Sequence, residues 1–180
     1  MANFVALLDA CVLYPAQLRD LLLRTAISDL YKARWTDQIH DEWIRNLLKN
    51  RQDISPEQLA RTRGLMNESV PDCLVTGYEP YISELNLPDP DDRHVLAAAI
   101  HCQAGVIVTL NLRDFPEDVV SNYGILIQHP DEFLSHIFDL RPAVLCAAIR
   151  GMRLALNNPP KTVDELLNDL LKVGLPRTVN

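Results

Sequence analysis

Two short apolar runs constrain this fold more than anything else in its 180 residues: Phe4 to Leu8, and Val106 to Val108 with Thr109 after it. Each is too short for a helix and has no polar alternation, the pattern of a strand covered on both faces. A third such strand is expected over Ile125 to Gln128, after Gly124. Between them lie helical patterns with start and stop signals. Pro15 opens a helix from Gln17 to Lys32, Thr36 or Asp37 caps one running to about Asn50, and Ser55-Pro56-Glu57 starts one ending near Glu68. A helix from the Asp89 to Asp92 stretch to Gly105, a turn after Pro116 and a helix from Pro130 to about Asp139 complete the series. Residues 71 to 84 read as loop with a short strand or a helical turn.

Apolar strands alternating with helices imply an α/β fold in three layers, a parallel central sheet flanked by helices. Two further amphipathic helices, Ala143 to Leu156 and Val163 to Lys172, form a C-terminal helical extension. The expected division is a domain over 1–140 and an extension over 141–180.

Ligands of such sheets bind beyond the carboxyl ends of the strands. Asp9 stands there directly after the first run, and Asp114 follows the second. Asp92 heads a stripe continued by Val95, Leu96, Ala99 and Ile100, while Glu42 borders the apolar face marked by Ile39, Trp43 and Leu47. Capping alone would explain some of the acids Asp89, Asp91 and Asp92, and an exposed pair with Arg45 would explain Glu42. Asp41 is the substitute if the helix phase is off by one. Carboxylates gathered at one sheet edge repel one another unless a divalent cation neutralises them. The set Asp9, Glu42, Asp92 and Asp114 therefore points to one or two Mg²⁺ or Mn²⁺ ions, hard cations that prefer oxygen, and to hydrolysis of phosphodiesters. Thr109 and Asn111 are placed to orient waters or phosphate oxygens, and Arg93, Arg113, Arg45 and Lys49 to meet a phosphate backbone.

Net charge is −7, which argues against holding nucleic acid by long-range attraction alone. Between residues 64 and 140 there are 2 bases against 13 acids, whereas Arg45, Lys49, Arg51, Arg61 and Arg63 form a modest basic rim. The four cysteines are scattered singly, as four small buried residues of a reduced cytoplasmic protein. No apolar stretch reaches the length of a membrane span. The histidines are not spaced as ligands, and His94 reads as a surface or core residue rather than a base.

The sequence resembles the PIN-domain nucleases, close to the VapC-like toxins of bacterial toxin-antitoxin pairs. The resemblance rests on Leu7-Leu8-Asp9-Ala10, on Glu42, on Asp92 to Ala97, and on Thr109 to Phe115, and it covers about residues 3 to 138. Cys11 stands where many relatives carry a small hydroxyl or amide, and the tail from Arg141 lies outside the resemblance. It implies an endoribonuclease that cuts structured or single-stranded RNA to leave a 5′-phosphate, with DNA as the alternative polymer, and a homodimer held in check by a cognate antitoxin. Two other readings remain open: a phosphohydrolase using Asp9 as nucleophile, and a non-catalytic RNA-binding or protein-interaction module of the same fold.

Overall fold

The computed structural model describes residues 4–180, so the first three residues of the expected 1–140 domain lie outside the described residues. Along the chain run β1 (Val5–Leu8), α1 (Ala10–Leu13), α2 (Ala16–Ile27), β2 (Lys32–Arg34), α3 (Asp37–Asn50), α4 (Pro56–Ser69) and α5 (Glu79–Ile82). There follow α6 (Arg93–His101), β3 (Val106–Val108), α7 (Glu117–Val120), β4 (Leu126–Gln128), α8 (Pro130–Leu140), α9 (Pro142–Ala155), α10 (Val163–Lys172) and α11 (Pro176–Val179).

The strands form one parallel sheet in the order β2-β1-β3-β4. Consecutive side chains of a strand point to opposite faces, so the complete burial of Ala6, Leu7 and Leu8 and of Val106, Ile107 and Val108 means that both faces are covered. This is the flanked parallel sheet, PIN-like in architecture, that the apolar runs imply.

The edge strand β2 is a correction to the sequence reading, which ran the first helix through to Lys32. That helix stops at Ile27, and Asp29 adopts a positive φ of 57° that lifts the chain out of helical geometry. Tyr31, Ala33 and Trp35 then point inward while Lys32 and Arg34 face outward, the two-residue period of a strand. In the segment after Pro71 the expected alternatives resolve to the helical turn α5, with Leu74 making only an isolated bridge to Trp35.

Helices α3 and α4 make a hairpin. Thr36 accepts a hydrogen bond from the Ile39 amide (3.0 Å), and Ser55 with Gln58 forms a reciprocal capping box. Arg63 of α4 reaches back to Asp37 (2.6 Å) and Asp41 (2.8 Å). The C-terminal helices lie on the sheet-bearing body: α9 packs against α2 and α8, and α11 against α8. Their anchor is Asp131, buried, whose carboxylate accepts from the Arg177 amide (2.9 Å), the Thr178 amide (2.9 Å) and the Thr178 hydroxyl (2.8 Å). No helix among the described residues is long and apolar enough to cross a membrane.

Candidate active site

The chain leaves β1 on one side for β2 and returns on the other for β3, so strand order reverses between β1 and β3. That crevice is where a parallel sheet opens to a ligand. The register pairs Leu8 with Val108, which sets Asp9 and Thr109 side by side just past the last pair. The Asp9 amide donates to the Val108 carbonyl (3.1 Å), and the Thr109 amide to that of Gln128 (3.1 Å), so the ladder fixes both residues.

Asp9 is nearly inaccessible to water, with 4% of its surface exposed. Its Oδ1 accepts from the Ala10 amide (2.7 Å), and its Oδ2 from the Thr109 hydroxyl (2.7 Å) and the Cys11 thiol (3.2 Å). The Thr109 hydroxyl in turn accepts from the Asn111 amide (3.0 Å), and the Cys11 sulfur from the Leu110 amide (3.2 Å). Burial pushes the Asp9 carboxyl above its ordinary range; these hydrogen bonds oppose the shift and the nearby charge of Glu42 adds to it. Burial next to Asp9 also drives the Cys11 thiol up to about 12.

Asp9, Glu42 and Asp92 line one cleft of about 400 Å³, together with Asn46, Asn50 and Asn111. Asp92 ends a 3-10 turn and begins α6, but its side chain makes no cap hydrogen bond. Asp89 does the capping, accepting from the Asp91 amide (2.9 Å). Desolvation, then the charges of Asp9, Asp114 and Asp89, raise Asp92 to about 7. Asp114 acts on Asp92 from the 3-10 turn after Asn111, where its amide donates a hydrogen bond to the Asn111 carbonyl (3.1 Å) and Phe115 beside it is buried; it does not itself line the cleft.

Glu42 does not pair with Arg45. Its Oε1 lies 2.7 Å from His94 Nε2, without the alignment of a hydrogen bond, and both His94 ring nitrogens are buried with no hydrogen-bond partner. A second cleft, about 570 Å³, continues past Glu42, Asn46 and Asp92 to Gln38, Arg45 and Asp91. Of the four expected phosphate-binding bases only Arg45 lines either cleft; Arg113 and Lys49 are exposed, and Arg93 is half-buried. Two of the five rim bases are taken up by acids, Arg51 by Asp53 and Arg63 by Asp37 and Asp41. The expectation of four buried cysteines is corrected. Cys73 is buried, Cys11 and Cys102 are half-buried and Cys146 is exposed on α9.

The site as folded is an oxygen-rich, mutually repelling set of carboxylates. Among the described residues no group of three or more Asp, Glu, His or Cys side chains is already drawn together to grip a metal ion. The donor chemistry nonetheless fits a hard divalent cation: the oxygens are carboxylates, and the upward shift of Asp92 marks a place where added positive charge is favourable. Gln38, Asn46, Asn50 and His94 were not recognised in the sequence, although the four-residue spacing of Gln38, Glu42, Asn46 and Asn50 puts them on one face of α3.

A stretch of 106 residues is 43% identical to VapC50 of Mycobacterium tuberculosis, a protein proposed by name as a ribonuclease. This chain is homologous to VapC50. The match takes in 57% of the chain and 62% of VapC50, so the chain spans somewhat under two thirds of that relative's length. A family model for the VapC50 C-terminal domain matches residues 130–180. The helical tail thus carries a resemblance of its own, in the very segment the sequence reading had left without one. No solved structure matches the chain significantly.

Proposed function

We propose that this chain is a metal-dependent endoribonuclease and the toxin of a toxin-antitoxin pair. Asp9, Glu42, Asp92 and Asp114 are the residues that would hold Mg²⁺ or Mn²⁺. The observation that carries the reading is that Asp9, Glu42 and Asp92, from three separate chain segments, line one cleft at the β1/β3 crevice, where burial, then the charge of Glu42 on Asp9 and of Asp9 and Asp114 on Asp92, raise the Asp9 and Asp92 carboxyls. Homology to VapC50 supports the same class of activity.

When bound, the cation supplies the positive charge that makes a water acidic and offsets the charge growing on a phosphodiester. The chain's own residues do the rest. Thr109, by donating to Asp9 Oδ2, holds that carboxylate in one orientation and leaves its remaining lone pairs directed by the fold rather than by solvent. Asn111 stands at the cleft wall with an amide that can direct a water or a phosphate oxygen. The hydrogen bonds engaging both Asp9 oxygens favour a ligand role for Asp9 over that of a nucleophile, and Cys11 occupies the position where a phosphoaspartate enzyme needs a second acid. A cognate antitoxin, a homodimer and a cytoplasmic location belong to this proposal through the family resemblance.

The test is incubation of the purified protein with labelled RNA and DNA in Mn²⁺, in Mg²⁺ and in chelator. RNA is expected to be cut only with metal, and D9N to fall to background while keeping its circular dichroism. Cleavage that survives chelation or D9N refutes the reading.

A further inference from the structure

Gln38, Glu42, Asn46 and Asn50 of α3 follow one another at four-residue intervals and form a continuous polar stripe bordering the face that buries Ile39, Trp43 and Leu47. Gln38 lines only the second cleft and Asn50 only the first, while Glu42 and Asn46 line both. The two clefts are therefore one track that crosses the acid site along α3. From Gln38 to Asn50 it extends roughly 18 Å, enough for about five stacked nucleotides at roughly 3.4 Å each.

The chemistry of the track is unusual for a polyanion path. Arg45 is its one lining base, and Asp41, Asp91 and Asp92 share the second cleft with it. A duplex brings two phosphate backbones and would be repelled here. Amide side chains instead present a donor and an acceptor side by side, the pattern that pairs with the edges of unpaired bases. At the Asn50 end the Tyr14 hydroxyl accepts from Asn50 Nδ2 (3.2 Å), and the half-buried Tyr14 lines the cleft, offering an aromatic face on which a base can stack.

We infer that the α3 amide stripe reads the bases of a single strand of nucleic acid laid across the acid site, with Asn46 and Asn50 as the residues that set sequence preference. The inference rests on the nuclease reading and adds which side chains of this chain recognise the bases. Charge contacts are few, so affinity comes from bases and from the cation rather than from phosphate tracking.

The experiment uses a random-sequence single-stranded RNA pool with Mn²⁺, alone and annealed to its complement, with the cut ends sequenced. Wild type is expected to cut the single strand with a biased base composition beside the scissile bond and to leave the duplex intact. The N46A/N50A protein should lose that bias and show a KM raised about tenfold, the loss falling on KM more than on kcat. Both positions are exposed and helical, where alanine favours the helix, so circular dichroism should be retained. Equal cleavage of the duplex, or an unchanged bias and KM in N46A/N50A, overturns the inference while leaving the nuclease reading standing. A wild-type protein that cuts no nucleic acid in Mn²⁺ or Mg²⁺ overturns both.

Discussion

Replacing Asp92 by asparagine should make the metal-free protein more stable, and more so as the pH rises. Its carboxyl sits at about 7 in the folded chain against an ordinary 3.8. An acid whose folded pKa is raised binds more protons in the native state than in the unfolded one across that interval. The stability it contributes is therefore present at low pH and is lost as pH climbs from the unfolded value to the folded one. Expressed in full, the shift corresponds to about 4 kcal/mol. Asp92 is half-buried on an open cleft, so solvent screening reduces the expected figure to about 2 kcal/mol. Asparagine keeps the shape, cannot ionise and gives up no cap bond, because the Asp92 side chain makes none. Denaturant unfolding of D92N and wild type should then differ little at roughly pH 3, below the ordinary 3.8, and by about 2 kcal/mol at roughly pH 8, or about 4 to 8 °C in Tm for a chain of this size. Mn²⁺ at roughly 100 times its Kd should stabilise wild type by about 2.7 kcal/mol and D92N by much less. A variant less stable than wild type at both pH values, or gaining equally at both, would show that the acids at this edge do not repel one another as their positions require.

The tail clamp predicts that D131A, which strips three acceptor contacts from the start of α11, costs about 3 kcal/mol. Amide hydrogen exchange should show the loosening at residues 175–180 first, and unchanged protection there would refute the clamp. Alkylation followed by mass spectrometry should modify exposed Cys146 first and Cys11 last near neutral pH, because a thiol held up at about 12 is almost wholly protonated there.

What the sequence disclosed depended on whether the physical cause was local. β1 and β3 were legible because a strand covered on both faces must be apolar throughout, β4 because a short apolar run follows the Gly124 turn although Leu126 is exposed, and the caps of α3 and α4 because Thr36 and Ser55 act within one turn. β2 was missed: it is three residues long with charges at Lys32 and Arg34, and its signal is a weak alternation that begins where helical spacing was still being followed. The cluster of acids was inferred from their places at strand ends and helix faces, but who partners whom is a tertiary matter. Glu42 has a helical neighbour in Arg45, yet it faces His94 from another element, and only the sheet register brings the Thr109 hydroxyl to Asp9 across 100 positions. Cys146 shows the limit of residue averages, since a type that is usually buried sits exposed on α9.

The charge distribution imposes an order of events on the proposed reaction. Residues 64–140 carry 2 bases and 13 acids, and the cleft walls contributed by Asp91 and Asp92 belong to that segment. A bare phosphodiester approaching this cleft meets a negative field with Arg45 as the sole lining base, so productive binding requires that a cation enter first. The same field that destabilises ionised Asp92 would draw the cation in, and loss of a proton from a group near 7 would make that uptake tighter at higher pH. Acids that cost the fold stability are thus the ones that would give the site its metal.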